Sequence, residues 1–247
     1  QSIFLFFFIN ITSHLFFFHN MMPDYHGSIN GSNWSLGTEM QFYILIALSI
    51  VYLKKLKWWH IGGAAILISY CWRFFALIHS NISAPLGVYK LFVMATQLPG
   101  MLDEFAVGIL LAFLIKSPLW TRLASFKKAS ISILFFFSLA FVTLTIHLYL
   151  TYSSYWNYPY MVIFFRSLMA VSIGFVILLL CSIKATPVIK RFLYPAYYLG
   201  TISYGIYLWH LPILLSVKKI EWLNNLQSFF LITVLTLIFA SLSWHYF

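Results

Sequence analysis

The stretch Asn33-Trp34-Ser35-Leu36-Gly37-Thr38-Glu39-Met40-Gln41-Phe42-Tyr43 carries a polar loop into the apolar run at 44–53. From residue 35 to residue 53 the chain holds one charge, Glu39, in a segment of the length that crosses a hydrocarbon core, roughly 20 residues. The segment therefore reads as a membrane helix with a carboxylate near one end. Asn33 or Ser35 is placed to cap it, and the helix dipole favours an acidic group near its start. That account leaves open a second one, in which Glu39 points into a helix bundle and orients a base or pairs with Arg73 or Arg166. A buried carboxylate needs such a partner or it takes up a proton.

The rest of the chain agrees with a membrane setting. Of 247 residues 62% are hydrophobic and only 8% are charged, against about a quarter charged in a soluble domain. Seven further apolar segments fall at about 2–19, 58–79, 101–116, 129–151, 160–183, 196–216 and 228–247. The predicted class is all-α, a polytopic transmembrane bundle of about eight helices. The segment at 101–116 is at the lower limit for a crossing. The connections at about 20–34 and 80–100 contain Pro, Gly, Asn and Ser and read as loops.

Charge orients the bundle. Lys54, Lys55 and Lys57 lie in one loop, Lys116, Arg122, Lys127 and Lys128 in another, and Lys184, Lys190 and Arg191 in a third. These loops alternate along the chain, so they share one side, which the positive-inside rule makes cytoplasmic. Both ends of the chain are then cytoplasmic, in a multi-pass protein of the inner or plasma membrane. The net charge of +10 is explained by this topology. Basic residues do not interleave with aromatics on a soluble face, so nucleic acid is excluded as a partner. The lipid bilayer is the first partner.

Ionisable groups collect at one depth. Glu39, Asp103 and Glu104 fall at outer helix ends, and Arg73, Arg166, His147 and His210 fall in outer halves. Each costs at least ~2.5 kcal/mol near a bilayer centre, and such groups usually face a bundle interior or a water-filled cavity. Interfacial anchoring and snorkelling is the alternative. Glu104, Gly108 and Ala112 share a face that suits close helix packing. Ser203, Tyr207 and His210 form a polar stripe beside Tyr204, and Pro212 has no N–H for the carbonyl of Leu208. An aromatic interfacial belt is the competing account of that stripe.

Several sites are excluded. There is no GxSxG elbow, HExxH or Walker loop. Cys71 and Cys181 lie inside apolar segments and read as core residues. His14 and His19 have no companion carboxylate on the same turn, so no metal site is assigned.

The segment at 34–43 resembles the WSLxxExxFY motif of the acyltransferase 3 family of membrane acyltransferases. Asp103-Glu104-Phe105-Ala106-Val107-Gly108-Ile109-Leu110-Leu111-Ala112 is similar to its DEFxxGxLLA segment, and 199–210 resembles LGxISYxxYLxH. The three occur in family order across nearly the whole chain. Met40 stands where a second acidic residue is common.

The resemblance implies a roughly ten-helix protein that moves an acyl group, often acetyl, from cytoplasmic acyl-CoA to a hydroxyl of an extracytoplasmic carbohydrate. On this expectation 1–247 is a single membrane-embedded acyltransferase domain, partial at both ends. Its main catalytic His would lie on an earlier helix. No bound cofactor is expected; acyl-CoA is the donor substrate. Glu39, Arg73 and Arg166 are the supporting catalytic residues, and Trp34, Ser35, Asp103, Glu104, Ser203, Tyr204, Tyr207 and His210 line the substrate cavity. A transporter or flippase for a sugar or lipid-linked substrate is the rival, and a non-enzymatic membrane scaffold the third possibility. A transporter predicts internal repeats with paired broken helices, and no such pairing is seen.

Overall fold

The computed structural model describes residues 3–125, 127–183 and 186–246. The helices are α1 (Ile3–Leu15), α2 (Trp34–Leu53), α3 (Trp58–His79), α4 (Gly87–Ala95), α5 (Leu98–Lys116), α6 (Pro118–Ser125), α7 (Lys127–Thr151), α8 (Pro159–Ser182), α9 (Pro187–Phe192), α10 (Tyr194–Thr201), α11 (Ser203–Val217) and α12 (Asn225–Tyr246). Among the described residues there is no strand. Six helices, α2, α3, α5, α7, α8 and α12, are long and apolar enough to cross a membrane, so the chain is an integral membrane protein. Lys184, and positions 2 and 247 at the ends of the first and last predicted segments, lie outside the described residues.

Two predicted segments are corrected. The run at 2–19 is not one continuous helix. α1 stops at Leu15, Phe17 adopts a left-handed backbone (φ 62°), and a short 3-10 turn follows at His19–Met21. Polar His14, His19 and Asn20 turn inward here instead of extending an apolar helix. The run at 196–216 is divided: Ile202 (φ −93°, ψ 7°) breaks it into α10 and α11. The connection at 80–100 also holds more order than a loop, since it contains α4 and the start of α5. Pro99, at the first turn where its missing N–H is harmless, starts α5 early and brings it to 19 residues, enough to cross.

The chain forms two compact units, residues 37–184 and residues 1–36 with 185–247. In the first, α3, α5 and α8 pack together, and α7 packs on α8. Ala76, Leu91, Ala95 and Val162 form a buried core. Small residues permit the approaches. A Cβ on Gly62 would lie 2.8 Å from Leu110, and one on Gly174 would lie 3.2 Å from Leu111. Gly108 meets nothing within 4 Å, so the close helix approach predicted at that position of α5 is not made in this unit.

A fully buried ion pair ties these helices. Arg73 of α3 and Asp103 of α5 are both 0% exposed and meet at 2.6 Å. Arg73 Nε donates to the Gly100 carbonyl and Nη1 to the Ile163 carbonyl, each at 2.7 Å. The Ser167 hydroxyl donates to Asp103 Oδ2, and the Asp103 N–H donates to Ser69 Oγ at 2.9 Å. Gly100 is required for this: a Cβ there would sit 2.1 Å from the Ala95 carbonyl oxygen. In the other unit α11 lies along α12, where a Cβ on Gly205 would come within 3.1 Å of the Ala240 Cα.

Arg73→Leu leaves Asp103 buried and unpaired. It is expected to lower stability by about 3–5 kcal/mol, read as early thermal unfolding in detergent. Arg73→Leu with Asp103→Leu should recover a large part of that loss.

Candidate functional site

In the unit of residues 37–184, the predicted site residues divide by access. Arg73 and Asp103 are sealed in the network above, so neither reaches a substrate in this structure. The second pair is reachable: Arg166 Nε meets Glu104 Oε1 at 2.6 Å, with the side chains 13% and 24% exposed. Tyr155, in the turn before α8, also hydrogen-bonds Arg166. Burial raises the Tyr155 phenol above its usual pKa, an effect that Arg166 opposes. The spacing of the sequence gives no sign of Tyr155, because it belongs to an irregular turn. Glu104–Arg166–Tyr155 is thus a half-buried cluster holding a fixed cation.

Glu39 pairs with neither arginine. Among the described residues the ion pairs are Arg73–Asp103 and Arg166–Glu104, and Glu39 instead accepts from the Tyr43 hydroxyl one turn along α2. The helix start is anchored beside it. Thr38 Oγ1 donates to the Thr96 carbonyl at 3.1 Å, and Phe42 stacks on Phe105 at 3.9 Å. From Tyr43 an apolar groove of about 460 Å³ follows α2 to Lys54, walled by Ile61, Ile109 and Phe113. One end has the phenol–carboxylate pair and the other an ammonium.

In the unit of residues 1–36 and 185–247, the loop before α2 is fastened to α11. The Tyr207 hydroxyl donates to the Ser32 carbonyl and meets Ser35 Oγ at 2.6 Å. His210 Nδ1–H donates to the Tyr207 carbonyl at 2.5 Å. The carbonyl that Pro212 leaves without its helical donor is satisfied from outside: Asn30 Nδ2 donates to Leu208 O at 3.0 Å. Of the predicted stripe, Tyr207 and His210 come together and are joined by Ser35, whereas Ser203 is exposed and joins none of them. Tyr204 lines a cleft of about 820 Å³ with Asn30, Asn33, Trp209 and Trp244. The sequence marks Asn33 only as a helix cap and gives no sign of Asn30, since loop amides are common and carry no periodicity.

Beneath that loop lie imidazoles. His26 stacks on Trp34 at 5.9 Å, and His14 stacks on His19 at 3.9 Å. Burial lowers the His26 pKa to about 4, and the neighbouring His19 adds to the shift. Burial also lowers His19 below its usual value. Among the described residues no group of three His, Cys, Asp or Glu side chains is arranged to hold a metal.

A family model described as "Acyltransferase domain" matches residues 1–245. The chain is 28% identical over 222 residues to a Bacillus subtilis (strain 168) protein named "Putative peptidoglycan O-acetyltransferase YrhL". The match takes in 86% of this chain and 33% of the relative, so the chain spans about a third of the length of that curated relative. No solved structure matches the chain.

The buried histidines set a pH window. Their native pKa values lie below the ordinary value of about 6.5, so the opened loop binds more protons than the closed one. Their contribution to loop stability is complete above pH 6.5 and is lost as pH falls toward 4. Amide exchange of residues 19–34 should accelerate at least about tenfold over that fall, after correction for intrinsic rates. His26→Phe should flatten part of the response.

Proposed function

The chain belongs to the acyltransferase 3 family, and from that premise we propose that the full protein moves an acyl group, acetyl first, to a hydroxyl of an extracytoplasmic glycan. The name of the Bacillus relative supports a peptidoglycan-type acceptor. Cytoplasmic acyl-CoA is the donor in this reading, with both ends of the chain on the cytoplasmic side of the cell membrane. The groove from Lys54 to Tyr43 supports that direction. Its ammonium end suits a phosphate, and its apolar wall suits a linear acyl-bearing arm.

The observation that carries the site is the reachable Arg166, held by Glu104 and Tyr155. A fixed guanidinium stabilises the oxyanion that forms when a hydroxyl attacks a thioester carbonyl. The attacking hydroxyl loses its proton to a base, the expected histidine of an earlier helix, and the thiolate leaves and takes up a proton. Glu39 supports that base or its charged form. Its hydrogen bond from Tyr43 sets the orientation of the carboxylate. Arg73 acts by holding α3, α5 and α8 in register and does not touch substrate.

The test supplies radiolabelled acetyl-CoA to membranes containing the full-length protein and scores label in the extracytoplasmic glycan. Glu39→Gln and Arg166→Met should each lower transfer by about 10²-fold at unchanged protein level. Label that never appears with any glycan, while a sugar or lipid-linked substrate crosses the membrane, sinks the enzyme reading in favour of a transporter. Transfer that survives both substitutions sinks the site.

A further inference from the structure

Helix α2 is fastened to its unit near one end only. Thr38 and Phe42 tie its first half to Thr96 and Phe105. Beyond Tyr43 it stands away from α3 and α5, and the apolar groove that ends at Lys54 is the gap left between the three helices. From Tyr43 to Lys54 the helix rises about 16 Å. One leaflet of a hydrocarbon core is about 15 Å deep. The groove therefore has the depth of one leaflet. It opens sideways, since Tyr43, Ala47, Ile50 and Lys54 along it are exposed.

The section of the groove decides what fits. Its volume of about 460 Å³, spread over about 16 Å of helix, averages roughly 30 Å². A helix about 10–12 Å across needs about three times that, so neither a second copy of the chain nor a partner helix fills the gap. Water is excluded by the walls, because Ile46, Leu53, Ile61, Ile109 and Phe113 offer it no polar partner. A single linear hydrocarbon chain fits the length, the width and the apolar wall.

The Lys54 end has its own chemistry. Lys54 lines the groove, and Lys55 and Lys57 follow it in the exposed turn. Both ion pairs among the described residues are made by arginines, so no carboxylate pairs with these lysines there. Lys57 Nζ lies over the Trp59 ring, 5.1 Å from its centroid, which leaves Lys54 and Lys55 for an outside anion. Trp58 and Trp59 are 48% and 49% exposed, and indoles of this kind gather at headgroup depth. The ammonium end thus sits where a bilayer keeps its phosphates. Loop charge that only sets topology calls for no groove beneath a lysine, whereas basic pockets between membrane helices hold anionic headgroups.

We propose that the gap between α2, α3 and α5 is a site for one anionic phospholipid, with its phosphate on Lys54 and one acyl chain lying along the groove to Tyr43. A zwitterionic lipid offers the same chain but brings its own cation to the lysines, so a net negative headgroup is selected. The donor arm proposed above uses the same groove, so lipid and donor exclude each other there, and the lipid is the occupant when donor is absent.

The experiment uses the full-length protein in nanodiscs of phosphatidylcholine, with a trace of phosphatidylglycerol carrying a diazirine at the end of one acyl chain. After irradiation the adducts are mapped by mass spectrometry. Adducts are expected on residues 42–47 and 109–113, and unlabelled phosphatidylglycerol should compete about tenfold better than added phosphatidylcholine. Lys54→Gln should weaken that competition about fivefold, and Lys54→Arg should keep it within about twofold of the parent. Ala47→Trp fills the groove without touching a charge and should abolish the groove adducts. The exposed face of α7 at 135–137 reports bulk lipid and should label equally in every variant.

Groove adducts that are absent, or that both lipids compete equally, overturn the proposal. A loss in Lys54→Gln that Lys54→Arg shares overturns it too, because charge then does not decide. Adducts at 135–137 that fall in step with those of the groove mark general loss of structure or bulk lipid, and they overturn it as well. Coenzyme A that leaves the groove adducts unchanged instead sinks the donor-arm assignment and leaves the lipid site standing.

Discussion

The unit of residues 37–184 depends on the Arg73–Asp103 pair. Two opposite charges at 0% exposure are tolerated because every contact around them is directed. Guanidinium N–H groups reach two carbonyls and a carboxylate, and the carboxylate also takes a hydroxyl. An apolar replacement could pack as well, but it would not specify register. Arg73 reads the Gly100 carbonyl of α5 and the Ile163 carbonyl of α8 at once, so a slide of either helix breaks a charge-assisted bond. This is why Arg166, on the same helix as Ile163, can be held in a defined place while still reachable.

Much of the fold was legible because a bilayer imposes simple rules. Length and apolarity located α2, α3, α7, α8 and α12 within a few residues, and no alternative to helix exists for such runs. The misreadings came where polarity turned inward within an apolar stretch. His14 and His19 look like tolerated intruders in a single helix, yet they end it. The break at Ile202 is invisible to hydropathy, because nothing in its side chain is polar.

The site was legible as residue types but not as pairings. Glu39, Glu104, Asp103, Arg73 and Arg166 all stand out as charges in an apolar chain, and all were singled out. Which carboxylate meets which arginine depends on helix rotation and lateral neighbours. A single sequence does not encode these in any period that can be counted. Glu39 meeting Tyr43 is the one pairing open to spacing, as an i, i+4 contact on one helix. Asn30 was hidden for a further reason. Its partner, the Leu208 carbonyl, is a backbone group and leaves no trace in residue identity.

That contact links residues 178 positions apart. The kink left by Pro212 stays incomplete until an amide from the loop before α2 arrives, and the loop cannot settle until α11 exists. During synthesis residues 3–36 emerge long before residues 203–217. The early loop, with its histidines and asparagines, must therefore wait unfinished while the helices of residues 37–184 are inserted. The loop in this unit is closed by a late-made helix, so conditions that slow or truncate synthesis will leave it exposed first.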